Sequence, residues 1–222
     1  MAKAKKRSYG EACRLAHALD LVGERWALLV VRELLLGPKR FTDLRRGLPN
    51  ASTNILAERL RNLEDGGVIR KRKLPPPAAA SVYELTRWGA DLEPIVTRLG
   101  AWGARSPSPP CTEEINSDSI VLALRSLFDA EAGADVDFEV ALRLDGDDFR
   151  AAVHSGELEV GRGAVEDPDA TLVGAAGSFA AVLGGQLPLD AAITAGEVEV
   201  VHGRRALGRF LKLFPMPELA AA

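Results

Sequence analysis

The sequence predicts two domains, a mainly α N-terminal half carrying one β-hairpin and an α+β C-terminal half. Three observations predict it. Apolar residues of the first half recur at helical spacing, and those of the second alternate with polar ones at strand spacing. The charge changes sign between them. Residues 1–105 carry 20 Lys and Arg against 11 Asp and Glu, a balance of +9, whereas residues 106–222 carry 8 against 20, a balance of −12. A chain of 222 residues suffices for two cores.

The stretch ARSPSPPCTEE, from residue 104 to 114, combines prolines and serines that prevent a helix and disfavour a central strand. It divides the chain into residues 1–104, a linker at 105–112, and residues 113–222. With 47% hydrophobic and 27% charged residues, most of the chain is expected to fold. No apolar run reaches the ~20 residues of a membrane helix. The start, MAKAKKRS, lacks the apolar segment of a secretory signal, so a cytoplasmic protein without membrane contact is expected. Its two cysteines, Cys13 and Cys111, make no disulfide framework.

In the first half, GEACRLAHALDLVGERWALLVVRELLLG places Leu15, Leu19 and Val22, then Trp26, Leu29, Val30 and Leu34, on apolar stripes that break near Gly23. Gly37-Pro38 ends the second helix. FTDLRRGL is a short helix that Thr42 can cap. Pro49 and Asn50 make a turn, Ser52 caps the helix TNILAERLRNLED, and Gly66-Gly67 stops it. VIRKRKL and SVYELT suit strands joined by PPPAAA, and a last helix runs from about Arg87 to Trp102.

Two helices joined by a short turn, the second followed by a basic hairpin, make a winged helix-turn-helix. In the helix after Ser52, Leu56, Leu60 and Leu63 fall within about 40° of one direction and form the buried stripe. Asn54, Glu58 and Arg61 lie opposite, with Thr53 on a flank. This narrow face begins with small polar residues that let a helix N-terminus approach bases and phosphates. Arg70 to Lys73, four consecutive cations on a strand, supply charge on both faces of a hairpin that can lie along a DNA backbone. The candidate DNA contacts are Lys39 and Arg40, then Ser52, Thr53, Asn54 and Arg61, then Lys71, Arg72 and Lys73 of the wing.

The segment from about Cys13 to Trp102 resembles the HxlR family of bacterial transcriptional regulators. The resemblance rests on Gly23 with Trp26, Arg40 with Phe41, the core Leu56-x-x-x-Leu60-Arg61-x-Leu63-Glu64, Tyr83-x-Leu85-Thr86 and Trp102. It implies a homodimer paired through the first and last helices of the domain, bound to a double-stranded DNA operator, with repression the favoured output. Members often carry an N-terminal cysteine, sometimes a sensor of oxidants or electrophiles. Cys13 matches it, although the usual following proline is Arg14. Two readings of Cys13 stand: a small buried residue of a dimer-forming helix, the one favoured, or a thiol activated by Arg14 and a helix start. Cys111 is expected to be exposed and incidental.

The second half reads as an α+β domain. SIVLALRSLF is a helix. FEVALRLDGDDFRAAV is a strand pair with a turn at Asp145-Gly146, placing Phe138, Val140, Leu142 and Leu144 on one face. SGELEVGRG and AGEVEVVHG resemble each other and read as two similar hairpin edges, while SFAAVLGG and RALGRFLKLF are helices. The strand-turn-strand, the DPDATL at 167–172 and GQLPLDAAITAGEVEVVHG together resemble a sterol-carrier-type domain. That resemblance implies a sterol-carrier-like α+β fold around an apolar cavity for a lipid or similar effector. Phe138, Phe149, Phe179, Leu183, Phe210 and Phe214 are its candidate lining, and ordinary core packing is the alternative for each.

No catalytic constellation and no cofactor site is read. His17, His154 and His202 have no metal-ligand spacing. The acidic run at 145–148 lacks the length and terminal Glu of a calcium loop. GRGAVED lacks the third glycine of a dinucleotide fingerprint, and no serine sits in a nucleophile elbow. A DNA-binding regulator is therefore expected, with an apolar effector or added dimer contacts in the C-terminal domain. The alternatives are redox sensing through Cys13, and a small-molecule carrier joined to a degenerate DNA-binding module.

Overall fold

The structure is a computed structural model that describes residues 8–76, 79–108 and 115–220. Its chain divides into two compact units, residues 1–94 and 95–222. Cys111 lies outside the described residues, as does most of the 105–112 stretch.

The first unit begins with α1 (Arg14–Val22) and α2 (Ala27–Leu34). The break falls at Gly23 as expected, the C-cap of α1, and Trp26 then precedes α2 with a left-handed φ of 77°. A bulky side chain there costs about 1–2 kcal/mol, and the Arg25 guanidinium lies 5.1 Å from the indole centroid. Next come α3 (Phe41–Gly47) and α4 (Thr53–Asp65). Thr42 does not cap α3. Arg40 holds the cap position, and its N–H donates to Asp43 Oδ2, the carboxylate of the first turn. Ser52 does cap α4, its Oγ accepting from the Ile55 N–H at 3.4 Å.

After Gly66-Gly67 the chain forms an antiparallel pair, β1 (Ile69–Lys73) and β2 (Ser81–Leu85). Lys39 adds an isolated bridge, with backbone bonds of 3.0 and 2.8 Å to Tyr83. Val30, Val31, Leu34, Leu44, Leu56, Leu60, Leu63 and Ile69 are buried in the core, and burial of each such side chain contributes about 1.5–3 kcal/mol. The helix expected over 87–102 is two helices, α5 (Arg87–Ala90) and α6 (Glu93–Ala104), and from Ile95 onward α6 belongs to the second unit. Pro94 has no N–H to continue the ladder from Ala90 and therefore opens a new helix near its own start.

In the second unit, α7 (Ser117–Leu127) precedes a five-stranded sheet of order β5-β4-β3-β6-β7. The strands are β3 (Asp137–Leu144), β4 (Asp147–His154), β5 (Glu157–Arg162), β6 (Ala170–Gly174) and β7 (Val198–His202), and β3 runs parallel to β6. Asp145 and Gly146 both take positive φ, the geometry of the hairpin turn expected there. Two helices, α8 (Ala176–Leu183) and α9 (Leu189–Thr194), connect β6 to β7, and α10 (Arg204–Leu211) follows.

Phe138, Val140, Leu142 and Leu144 share a buried face with Phe149, Ala151 and Val153. The alternate residues Asp137, Glu139, Arg143, Asp148, Arg150 and His154 line the other face. The two look-alike segments, β5 and β7, form the opposite edges of this sheet. Among the described residues, no helix is long and apolar enough to cross a membrane.

Candidate nucleic-acid interface

The geometry of α4 follows from its apolar stripe. Leu56, Leu60 and Leu63 are buried, which turns Thr53, Asn54, Glu58 and Arg61 outward, all exposed. Ser52 at the cap leaves the first backbone N–H groups of α4 near the same outward surface. A second feature went unread in the sequence: Ile55, 40% exposed, borders this face on the flank opposite Thr53. An apolar side chain there suits a thymine methyl in a major groove. Its signal was an apolar residue off the Leu56 stripe. Arg45 and Arg46, exposed in the last turn of α3, were likewise not singled out.

The wing sorts its four cations by strand alternation. Arg70 and Arg72 share a face with Glu84, whose carboxylate accepts from Arg70 Nε at 2.7 Å and Arg72 Nε at 2.9 Å. The Arg72 hydrogen bond is the largest influence on Glu84. Partial burial opposes it, and with Arg70 added the carboxyl stays below its ordinary range. Lys71 and Lys73 lie on the other face, both exposed, with Lys71 Nζ 5.6 Å from the Tyr83 ring centroid. Of the wing residues named from the sequence, Lys71 and Lys73 thus present their charge outward, while Arg72 shares Glu84 with Arg70.

Lys39 departs most from its expected role. It is 8% exposed, and its Nζ lies 2.6 Å from Glu33 Oε2 in the core. Burial alone would raise the Glu33 carboxyl, but Lys39 and then Arg32, at 2.8 Å, outweigh it and hold the group below the carboxylate range. A methyl group at Gly47 would overlap this carboxylate. The pair therefore joins α2, the end of α3 and the Lys39–Tyr83 bridge, which positions the wing beside the helix-turn-helix. Arg40, beside it, is exposed.

Cys13 precedes α1 and is exposed in the single chain, while the buried reading places it in a helix that pairs two copies. Backbone N–H groups of Ala16 and then Leu15 at the helix start favour its thiolate, lowering the thiol below its ordinary value. Exposed apolar residues also mark α1, with Leu15 and Leu19, and α6, with Ile95, Leu99 and Trp102.

In the second unit the six residues named as cavity lining are all buried. Phe210 and Phe214 meet edge to face at 4.8 Å, and Phe128 lies 5.9 Å from Phe214. They pack as a core between sheet and helices. Among the described residues, no three His, Cys, Asp or Glu side chains gather as a metal-holding group.

Comparison with known proteins adds a family to this geometry. Residues 21–109 match the model of the HxlR-like helix-turn-helix. The HTH-type transcriptional regulator YvaP of Bacillus subtilis is 36% identical over 100 residues, covering 45% of this chain and 93% of YvaP. YodB of the same organism, also an HTH-type transcriptional regulator, is 33% identical over 104 residues, covering 46% of this chain and 93% of YodB. A solved structure of YodB in its reduced form aligns at 31% identity with a TM-score of 0.40, covering 46% of this chain and all of that one.

Proposed function

Because the chain belongs to the HxlR-like helix-turn-helix transcriptional regulators, we propose that it binds a specific DNA operator as a homodimer and represses transcription by occupying it. The observation that carries this reading is the outward face of α4, where Ser52, Thr53, Asn54 and Arg61 are exposed over a buried leucine stripe. Lys71 and Lys73 of the wing supply phosphate contacts to the same duplex. Pairing of two copies through α1 and α6 is supported by the exposed Leu15, Leu19, Ile95, Leu99 and Trp102, large apolar groups that a partner surface would remove from water.

Selection of bound duplexes from a random pool, followed by footprinting, tests operator recognition. Asn54→Ala or Arg61→Ala should cost about 1–3 kcal/mol on the selected sequence and relax base preference. Lys71→Ala or Lys73→Ala should weaken selected and random duplexes alike. Equal losses on both duplexes for the α4 variants would refute the division of roles.

A second reading, thiol-based sensing, is favoured by the exposed Cys13 with its lowered pKa. In it, modification of Cys13 alters pairing of the copies and so DNA affinity.

The C-terminal unit extends the proposal to an apolar effector held in a sterol-carrier-like fold. The proposal places the ligand at the aromatic cluster of Phe128, Phe210 and Phe214. Such a ligand must part these packed rings, and it regulates only by binding the DNA-bound and free states differently. The domain division into residues 1–104 and 113–222 belongs to the same proposal.

A further inference from the structure

Residues 106–222 carry eight Lys and Arg against 20 acidic residues, and four of those eight fall between Arg204 and Lys212. The other four are engaged. Arg125 donates to the Val160 carbonyl at 2.9 Å, Arg143 pairs with Asp148, Arg150 with Glu139 and Glu159, and Arg162 with Asp118 and Asp147. On α10, Arg204 pairs with Asp190. Arg205, Arg209 and Lys212 have no carboxylate partner among the described residues, in a domain with an excess of carboxylates.

These three cations form one strip. At about 100° per residue they lie within about 60° of one another, and they span roughly 10 Å of helix axis. Leu207 and Phe210, both fully buried, point the opposite way into the core. Arg209 is held in place by its guanidinium, 4.9 Å over the Phe138 ring. Beside the strip is Gly208, inside the helix, where glycine weakens helical structure. Neither backbone nor packing requires it: its φ is not positive, and a Cβ there would meet nothing within 4 Å. A bare backbone flanked by unpaired cations admits close approach of an anionic chain.

We propose that this face of α10 binds the phosphodiester backbone of DNA beyond the segment held by α4 and the wing. The proposal rests on the DNA-binding reading of the first unit. Covalent linkage to that unit keeps α10 at high effective concentration around the bound duplex. One DNA strand carries about three phosphates in the axial length of the strip. Carboxylates on the open face of the sheet lie on the side away from α10, and Asp129, whose backbone N–H donates to the Leu213 carbonyl at 2.9 Å, brings one acid near the Lys212 end of the strip. The contacts read no bases. They extend the footprint and steepen its salt dependence.

The test measures binding of the full-length protein to labelled random-sequence duplexes of about 20 and about 50 base pairs over a series of salt concentrations. In the triple variant Arg205→Ala, Arg209→Ala, Lys212→Ala, the slope of log affinity against log salt on the long duplex should fall by about 0.9 for each phosphate that is no longer neutralised. The short duplex should be affected little. Gly208→Glu, which adds an exposed acid without touching the core, should weaken long-duplex binding in the same direction and serves if the triple variant folds poorly. Lys71→Ala with Lys73→Ala is the reference for the first unit. If that wing variant lowers the slope and neither α10 variant does, the proposal is overturned while the DNA reading stands. An equal loss on both duplexes overturns the flanking position. If the unaltered protein binds neither duplex, the DNA reading fails and takes the proposal with it. Binding to phosphatidylglycerol vesicles that the triple variant abolishes, with the DNA slope unmoved, would overturn it in favour of a lipid surface.

Discussion

Lys39→Met removes the cation from a carboxylate that is 1% exposed while nearly preserving the length of the side chain. Breaking a buried ion pair by removing one partner costs about 3–5 kcal/mol, because the remaining charge is stranded. Arg32 stays on Glu33 at 2.8 Å from a partly exposed position, so the lower end, about 3 kcal/mol, is expected. Urea unfolding followed by the tryptophans should show this loss in the transition of the first unit. Acid provides the sign. The Glu33 carboxyl is held below its ordinary range in the folded chain, so its pairing contributes fully above the unfolded value of about 4.3 and is lost as pH falls through the folded one. In Lys39→Met the carboxyl accepts a proton more readily, which neutralises the stranded charge. The gap between the two proteins should therefore narrow as pH drops from 7 toward about 4. The double variant Glu33→Leu, Lys39→Met should recover much of the stability, since apolar pairs replace buried ion pairs well. Equal stability at neutral pH, or a gap that acid leaves unchanged, would refute the reasoning.

Cys13→Ser should abolish a fast alkylation by iodoacetamide whose rate rises with pH through a midpoint below that of a free thiol, following the lowered pKa; a midpoint at the ordinary value would refute the helix-start effect. Gly203 holds φ of 72° before α10, and a methyl group there would overlap the Asp169 carbonyl. Gly203→Ala should thus destabilise the second unit by more than the about 1–2 kcal/mol of the left-handed backbone alone, as read in its thermal transition. A fluorescent fatty acid should bind the full-length protein with different affinity in the presence and absence of selected operator DNA. Identical affinities would leave the second unit without a regulatory role for such a ligand.

The winged helix was legible because its signals are local. Leucine spacing, the Ser52 cap and the Gly66-Gly67 stop each act within one turn of chain, and the structure repeats them. Lys39 was misread because exposure is the ordinary state of lysine, and its partner lies on another element. The clue was Glu33 itself, an acid inside the apolar run VVRELLLG, which a helix buried on that side had to neutralise. Trp26 could not be foreseen, since a left-handed tryptophan is a tertiary compromise with no sequence signature. Pro94 did announce the split between α5 and α6, but the apolar stripe across it argued for one helix. The second unit was legible where alternation was strict, in β3 and β4. It was not at β6 and α9, whose short apolar runs fit either state. The aromatic residues of its core illustrate a general limit: a lining residue and a packing residue have the same composition and spacing.

The twin edges of the sheet bear on how the protein behaves when crowded. An unpaired strand invites a neighbour to extend it, and here both margins carry the deterrent, Glu157 and Glu159 on β5 and Glu199 on β7, all exposed. Any edge-to-edge encounter between copies brings carboxylates together, whichever margins meet. The same anions that leave α10 isolated in charge thus keep separate molecules from knitting into a continuous ribbon.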